Sequence, residues 1–272
     1  MTFREAVLAV ARQNQSWLCV GLDPEPGRLP PHMRADADGV FAFCAAIIEA
    51  TADLVCAFKP NIAFFEALGA AGMNALDRLI KLRPGPPVIL DAKRGDIGST
   101  AEAYARAVFD HLGADAVTLN PYLGGDALDP FLRYADRGCF ILCKTSNPGS
   151  ADLQDIPLAD GRPLYMAVAD YARDVWNVHG NVGLVVGATQ PDALIAVRRA
   201  CPSMLLLIPG VGAQGGDPAL TVRAAAATGE PLTIVNASRA VLYADDGPHF
   251  AAAARRAAQR LRDSINTALV AR

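Results

Sequence analysis

Eight times along this 272-residue chain, a short apolar run stops at a polar or turn-forming residue and gives way to a helical pattern. No other feature restricts the possible folds so strongly. Strands alternating with helices build a parallel sheet with the helices outside it. The runs cover residues 16–23, 55–59, 87–90, 116–120, 138–146, 182–188, 204–209 and 232–236. Several are unbroken and rich in β-branched residues, as strands covered on both faces are. Helical patterns follow at about 38–52, 62–82, 99–112 and 164–178, after Pro191, and at about 248–268. Thr2 with Glu5, and Ser99 with Glu102, have capping-box spacing and predict helix starts at those points. Eight such units in this length fit a closed (β/α)8 barrel, an α/β TIM barrel forming a single domain over residues 1–272, with a short N-terminal helix over 2–14. An open doubly wound sheet would carry G-x-G-x-x-G after its first strand, where this chain has Gly21-Leu22-Asp23-Pro24.

Composition narrows the class. The chain is 52% apolar and 19% charged, enough for a sizeable core and unlike a disordered chain. A net charge of −3 gives no reason to expect nucleic acid or an anionic membrane as partner. Cys19, Cys44, Cys56, Cys139, Cys143 and Cys201 show neither zinc-ligand nor C-x-x-C spacing, and read as reduced, buried thiols. Arg4, Glu5 and Arg12 lie in a helical pattern unlike a secretory signal, and no apolar segment is long enough to span a bilayer. The expected location is cytoplasmic.

Barrels of this kind carry their chemistry at the C-terminal ends of the strands. Those ends hold Asp23, Lys59, Asp91, Lys93, Asn120, Ser146, Gln190 and Arg239. The densest stretch is PPVILDAKRGDIGSTAEAYA at 86–105, where Asp91, Lys93, Arg94 and Asp96 follow directly on an apolar strand. Asp91 and Lys93 are two apart, so in a strand they leave on one face. An isolated D-x-K-x-x-D is more often a structural ion-pair network. The repetition of charge around one rim is what favours a functional reading.

After the seventh strand comes GVGAQGGD at 210–217. Phosphate sites in barrels are often built from the loops after strands seven and eight, with backbone amides as donors. Gly212, Gly215 and Gly216 suit such a turn, Gln214 adds an amide donor, and Arg239 adds a bidentate fork. A phosphorylated small molecule is the expected ligand. His32, His111, His179 and His249 all lie away from the strand ends, and neither H-E-x-x-H nor G-x-S-x-G occurs. This disfavours histidine acid–base work and histidine-ligated metal, and the chemistry then rests on lysines and carboxylates.

Five segments, GLD at 21–23, FKPN at 58–61, LDAKRGDIGST at 90–100, KTSNPGS at 144–150 and PGVGAQGGD at 209–217, resemble the orotidine 5′-phosphate decarboxylase family, in the family's order. The likeness is to the bacterial subgroup with the motif L-D-x-K-R-G-D-I, and covers about residues 15–245. It implies a (β/α)8 homodimer without metal or organic cofactor that converts orotidine monophosphate to UMP and CO2 in pyrimidine synthesis. Carried over by position, it makes Lys59, Asp91, Lys93 and Asp96 a charged tetrad, with Lys93 the proton donor. It implies that Asp23 and Lys59 bind ribose, joined by Asp96 and Thr100 from across the dimer. It also places Ser146 on the pyrimidine edge and Gln214 and Arg239 on the phosphate. The polar loop 147–162 and Asn120 receive no role.

Other enzymes on this scaffold, the Mg²⁺-dependent sugar-phosphate decarboxylases and hexulose-phosphate synthases, share a D-x-K-x-x-D element. The Pro-rich loop after Asp23 and the S-N-P-G at 146–149 favour the nucleotide reading. A Schiff-base aldolase fits less well, since a lysine crowded by carboxylates stays protonated. A non-catalytic nucleotide binder would show a broken tetrad beside its phosphate turn, and here both are intact.

Overall fold

A computed structural model describes residues 1–211, 218–226 and 232–270 of the chain. Its strands are β1 Leu18–Leu22, β2 Ala57–Pro60, β3 Ile89–Arg94, β4 Ala116–Leu119, β5 Gly138–Lys144, β6 Val182–Val186, β7 Leu205–Ile208 and β8 Thr233–Ala237. They form one sheet in the order β2-β1-β8-β7-β6-β5-β4-β3, every pairing parallel. Parallel bridges from Phe58 to Val88 and from Asn61 to Asp91 join the two ends of that order, and the sheet closes into the expected (β/α)8 barrel.

Period-two alternation sorts the strand residues between two cores. Leu18, Val20, Leu22, Phe58, Leu90, Val117, Leu119, Ile141 and Leu184 face the surrounding helices. Cys19, Ala57, Ile89, Ala116, Phe140, Val185 and Leu207 fill the barrel interior. The N-terminal helix Phe3–Gln13 closes the lower end, burying Phe3, Val7 and Ala11 at helical spacing. Phe3 meets Phe140 edge-on, with ring centroids 5.7 Å apart. The predicted Thr2–Glu5 capping box holds that helix in place. All six cysteines are buried and unpaired. No helix among the described residues is long and apolar enough to cross a membrane.

Four local expectations need correction. The first is β3, which runs on through the charged residues to Arg94 and does not stop at Leu90. Second, the following helix, Gly98–Arg106, starts ahead of Ser99, with Ile97 at the N-cap and no side-chain cap. Gly98, at φ 54°, turns the chain into the helix one residue early, and Glu102 pairs with Arg106 instead of capping. Third, the 62–82 pattern divides into Ile62–Glu66 and Gly69–Lys81, with Gly69 at φ 62°. Fourth, the 147–162 loop contains a 3-10 turn, Pro148–Ser150, and a short helix, Ala151–Gln154. Pro148 pre-sets the backbone of that turn.

Candidate active site

Each inward-facing row of side chains changes character on the way up the barrel. On β1 and just past it the row runs Cys19, Gly21, Asp23, on β2 and just past it Ala57, Lys59, Asn61, and on β3 Ile89, Asp91. The alternation that packs the interior therefore delivers Asp23, Lys59 and Asp91 to one cavity at the C-terminal rim, of about 500 Å³, which Lys93 joins from the end of β3. Asp23, Lys59, Asp91, Lys93, Ser146 and Arg239 all line it, so six of the expected residues converge.

Asp91 is the hub. Lys59 Nζ donates to its Oδ2 at 2.7 Å and Lys93 Nζ to its Oδ1 at 2.6 Å. Burial disfavours the Asp91 charge, but the two ammonium groups outweigh it and hold the carboxyl well below its ordinary range. Burial likewise opposes the charge of Lys59, and Asp91 and Asp23 outweigh it, so its pKa lies above the usual lysine value. Lys59 is almost wholly enclosed, while half of the Lys93 side chain is exposed to the cavity. The site thus presents a fixed, charged, half-open ammonium backed by a buried counter-ion pair. Such an array stabilises negative charge that develops beside it and can deliver a proton there.

Two buried acceptors in the cavity wall, Asp23 Oδ1 and Asn236 Oδ1, have no hydrogen-bond partner among the described residues. A ligand rich in hydroxyl donors satisfies such atoms. Arg239 opens the short helix Arg239–Leu242 directly after β8 and reaches the cavity from above.

Other expected residues lie elsewhere. Asp96 and Thr100 sit beyond the end of β3, outside the cavity wall; Thr100 is exposed, and Asp96 accepts the Ile97 amide. Asn120 caps the 3-10 turn Pro121–Leu123 through the Tyr122 amide. Gln190 sits at the N-cap of the helix Pro191–Ala200, away from the cavity. Gly212, Gln214, Gly215 and Gly216 fall outside the described residues.

Sequence reasoning missed several residues in the site or supporting it. Thr118 on β4 contacts Asp91, at 2.9 Å. Asn236 shares the cavity wall. Lys144, buried at the top of β5, donates to Ser150 and Asp155 at 3.0 and 2.8 Å and pins the turn after it. Gln154 folds back to the Thr145 amide at 2.8 Å. For Lys144 a signal was available, a charge ending the apolar run Cys139–Cys143, whereas Thr118 and Asn236 read as ordinary strand residues.

Comparison with known proteins agrees with this geometry. The family model described as "Orotidine 5'-phosphate decarboxylase / HUMPS family" matches residues 16–256. The chain is 75% identical to the orotidine 5′-phosphate decarboxylase of Roseiflexus sp. (strain RS-1) across the full length of both. It is 72% identical to that of Roseiflexus castenholzii, over 99% of each chain. Among solved structures, OMP decarboxylase of Leishmania donovani superposes with a TM-score of 0.86 at 43% identity, covering all of both chains.

Proposed function

The chain belongs to the orotidine 5′-phosphate decarboxylase / HUMPS family, and from that membership we propose how its cavity works. It decarboxylates orotidine 5′-phosphate to UMP and CO2 in pyrimidine biosynthesis. In our reading Lys93 is the proton donor. The bond from the pyrimidine ring to the carboxylate breaks, CO2 leaves, and the electron pair stays on the ring carbon. The Lys93 ammonium stabilises that charge and then transfers its proton to the carbon, becoming a neutral amine that is reprotonated from water. One observation carries this reading: Lys59, Asp91 and Lys93 form a continuous array, with contacts of 2.7 and 2.6 Å, at the floor of the rim cavity.

Asp91 lies where the leaving carboxylate is expected, and it also fixes Lys93. Its two oxygens already accept from Lys59, Lys93 and Thr118, which favours a reaction without metal or organic cofactor. Asp23 and Lys59 take ribose hydroxyls, in keeping with the unpartnered Asp23 oxygen. Ser146 meets the pyrimidine edge. Gln214 and Arg239 hold the phosphate, together with the amides of Gly212, Gly215 and Gly216. Asp96 and Thr100 complete the site of a second copy in a homodimer. In support, Ile97, Tyr122 and Leu123, on the same rim as Asp96, are 60%, 79% and 47% exposed. The buried free thiols are in keeping with a cytoplasmic enzyme.

The test is loss of orotate absorbance when the purified chain meets orotidine 5′-phosphate in EDTA, with UMP recovered as product. Turnover in the chelator supports metal-independent chemistry. Turnover only after Mg²⁺ is added overturns it.

A further inference from the structure

The ladder between β3 and β4 breaks where the charged array sits. Leu90 pairs with Val117 and Arg94 with Leu119, so an advance of four residues on β3 spans only two on β4. The surplus pair forms a bulge, and within it Lys93 adopts a left-handed φ of 47°. Bulges re-aim side chains, at the cost of leaving ladder amides without their usual acceptors.

Here one side-chain atom takes both of those amides. Ala92 N–H and Lys93 N–H each donate to Thr118 Oγ1, at 3.0 Å. With both lone pairs occupied, the hydroxyl directs its proton to Asp91 Oδ1 at 2.9 Å. Thr118 is 2% exposed, and its β-branched side chain has little χ1 freedom in a strand. Its neighbours Val117 and Leu119 face the helices and cannot substitute.

We propose that Thr118 is the positioning residue of the charged array, its hydroxyl holding the β3 bulge that aims Lys93 while orienting the Asp91 carboxylate. The proposal rests on Lys93 being the proton donor. Removing the hydroxyl leaves two part-buried amides without their acceptor, frees the backbone that carries Lys93, and takes one of the donors from Asp91. The ribose and phosphate contacts proposed for this chain's own site, Asp23, Lys59 and Arg239, lie on or after other strands. The loss therefore falls on turnover more than on binding.

The experiment compares Thr118→Val, Thr118→Ser and Lys93→Ala with the parent chain, measuring kcat and KM on orotidine 5′-phosphate and affinity for UMP. Thr118→Val keeps the shape and removes the hydroxyl. It is expected to lower kcat by about thirty- to a hundredfold, with KM and UMP affinity within about threefold. Thr118→Ser restores the hydroxyl and is expected to recover kcat to within about fivefold. A Val variant with near-parental kcat, or a Ser variant no better than Val, overturns the proposal. So does a loss of UMP affinity as large as the loss of kcat. Thr118→Ala gives the same comparison if the valine chain does not fold. Lys93→Ala separates the two ideas. If it is inactive while Thr118→Val is active, only the role of Thr118 fails; if it turns over normally, the proton-donor reading itself fails.

Discussion

Lys59 Nζ stands 2.7 Å from Asp91 Oδ2, with the lysine side chain 4% and the aspartate side chain 12% exposed. Removing Asp91 leaves the buried Lys59 without its carboxylate partner, and their pKa values are displaced in opposite directions. Asp91 titrates lower in the folded chain than in the unfolded one. Its stabilising contribution is therefore present above the unfolded carboxyl value of about 4 and is lost as pH falls below that. Lys59 titrates higher when folded, so its contribution holds below the unfolded lysine value of about 10.4 and is lost as pH rises through the folded value. Urea midpoints are expected to fall on acidification below about pH 4, and Asp91→Asn to show a flatter acid limb. At neutral pH, Lys59→Met is expected to cost about 3 kcal/mol, since Asp91 keeps Lys93 and Thr118.

Arg239 meets the cavity from the short helix after β8, far from the reacting array in our reading. Energy from a group that does not react can still assist the chemical step. Arg239→Ala is expected to lower kcat/KM on orotidine 5′-phosphate by about a hundredfold, the scale of a lost charge-assisted contact. On orotidine, which lacks the phosphate, the same substitution is expected to be nearly silent. Equal losses on both substrates would remove the phosphate role.

Asp96 lies outside the cavity of its own chain, and in our reading it serves the partner's site. Asp96→Ala and Lys93→Ala chains are each expected to be inactive, Lys93→Ala while still binding UMP. Mixed after dissociation, they form heterodimers in which one of the two sites is intact. A 1:1 mixture is then expected to recover about a quarter of parental activity by random pairing. No recovery, in a mixture shown by sedimentation to contain dimers, would place Asp96 outside the shared site.

Arg198 is wholly buried and donates to backbone carbonyls of Ala225, Met204 and Leu232, each at 2.7 Å. Burial pulls its pKa down to about 10, yet it remains a cation at neutral pH. It ties the helices Pro191–Ala200 and Pro218–Ala225 to the lower ends of β7 and β8, opposite the active rim. Arg198→Met is expected to lower stability by about 3 kcal/mol in urea unfolding, through the buried carbonyls that lose its donors. The kcat of the folded fraction is expected to stay unchanged. A large drop in kcat with unchanged stability would contradict a purely architectural role.

The sequence alone determined the parts that depend on local periodicity. Eight apolar runs each ending in polar residues implied a closed parallel barrel and a polar rim. The D-x-K-x-x-D stretch put charge at the end of the third strand, and Lys59 and Asp23 ended their strands in the same way. Only the tertiary structure decided the partners. Thr118 lies 25 residues from Lys93, Asp155 is set against Lys144 by a turn that reads as loop, and Arg198 reaches carbonyls up to 34 residues away. The β3 bulge was invisible for the same reason. A register shift is a relation between two strands, and neither strand's own pattern records it. Side-chain alternation is fixed by the backbone of one segment, so it is written in sequence. Pairing across the barrel depends on where closure brings distant segments, and that exists only once the sheet has closed.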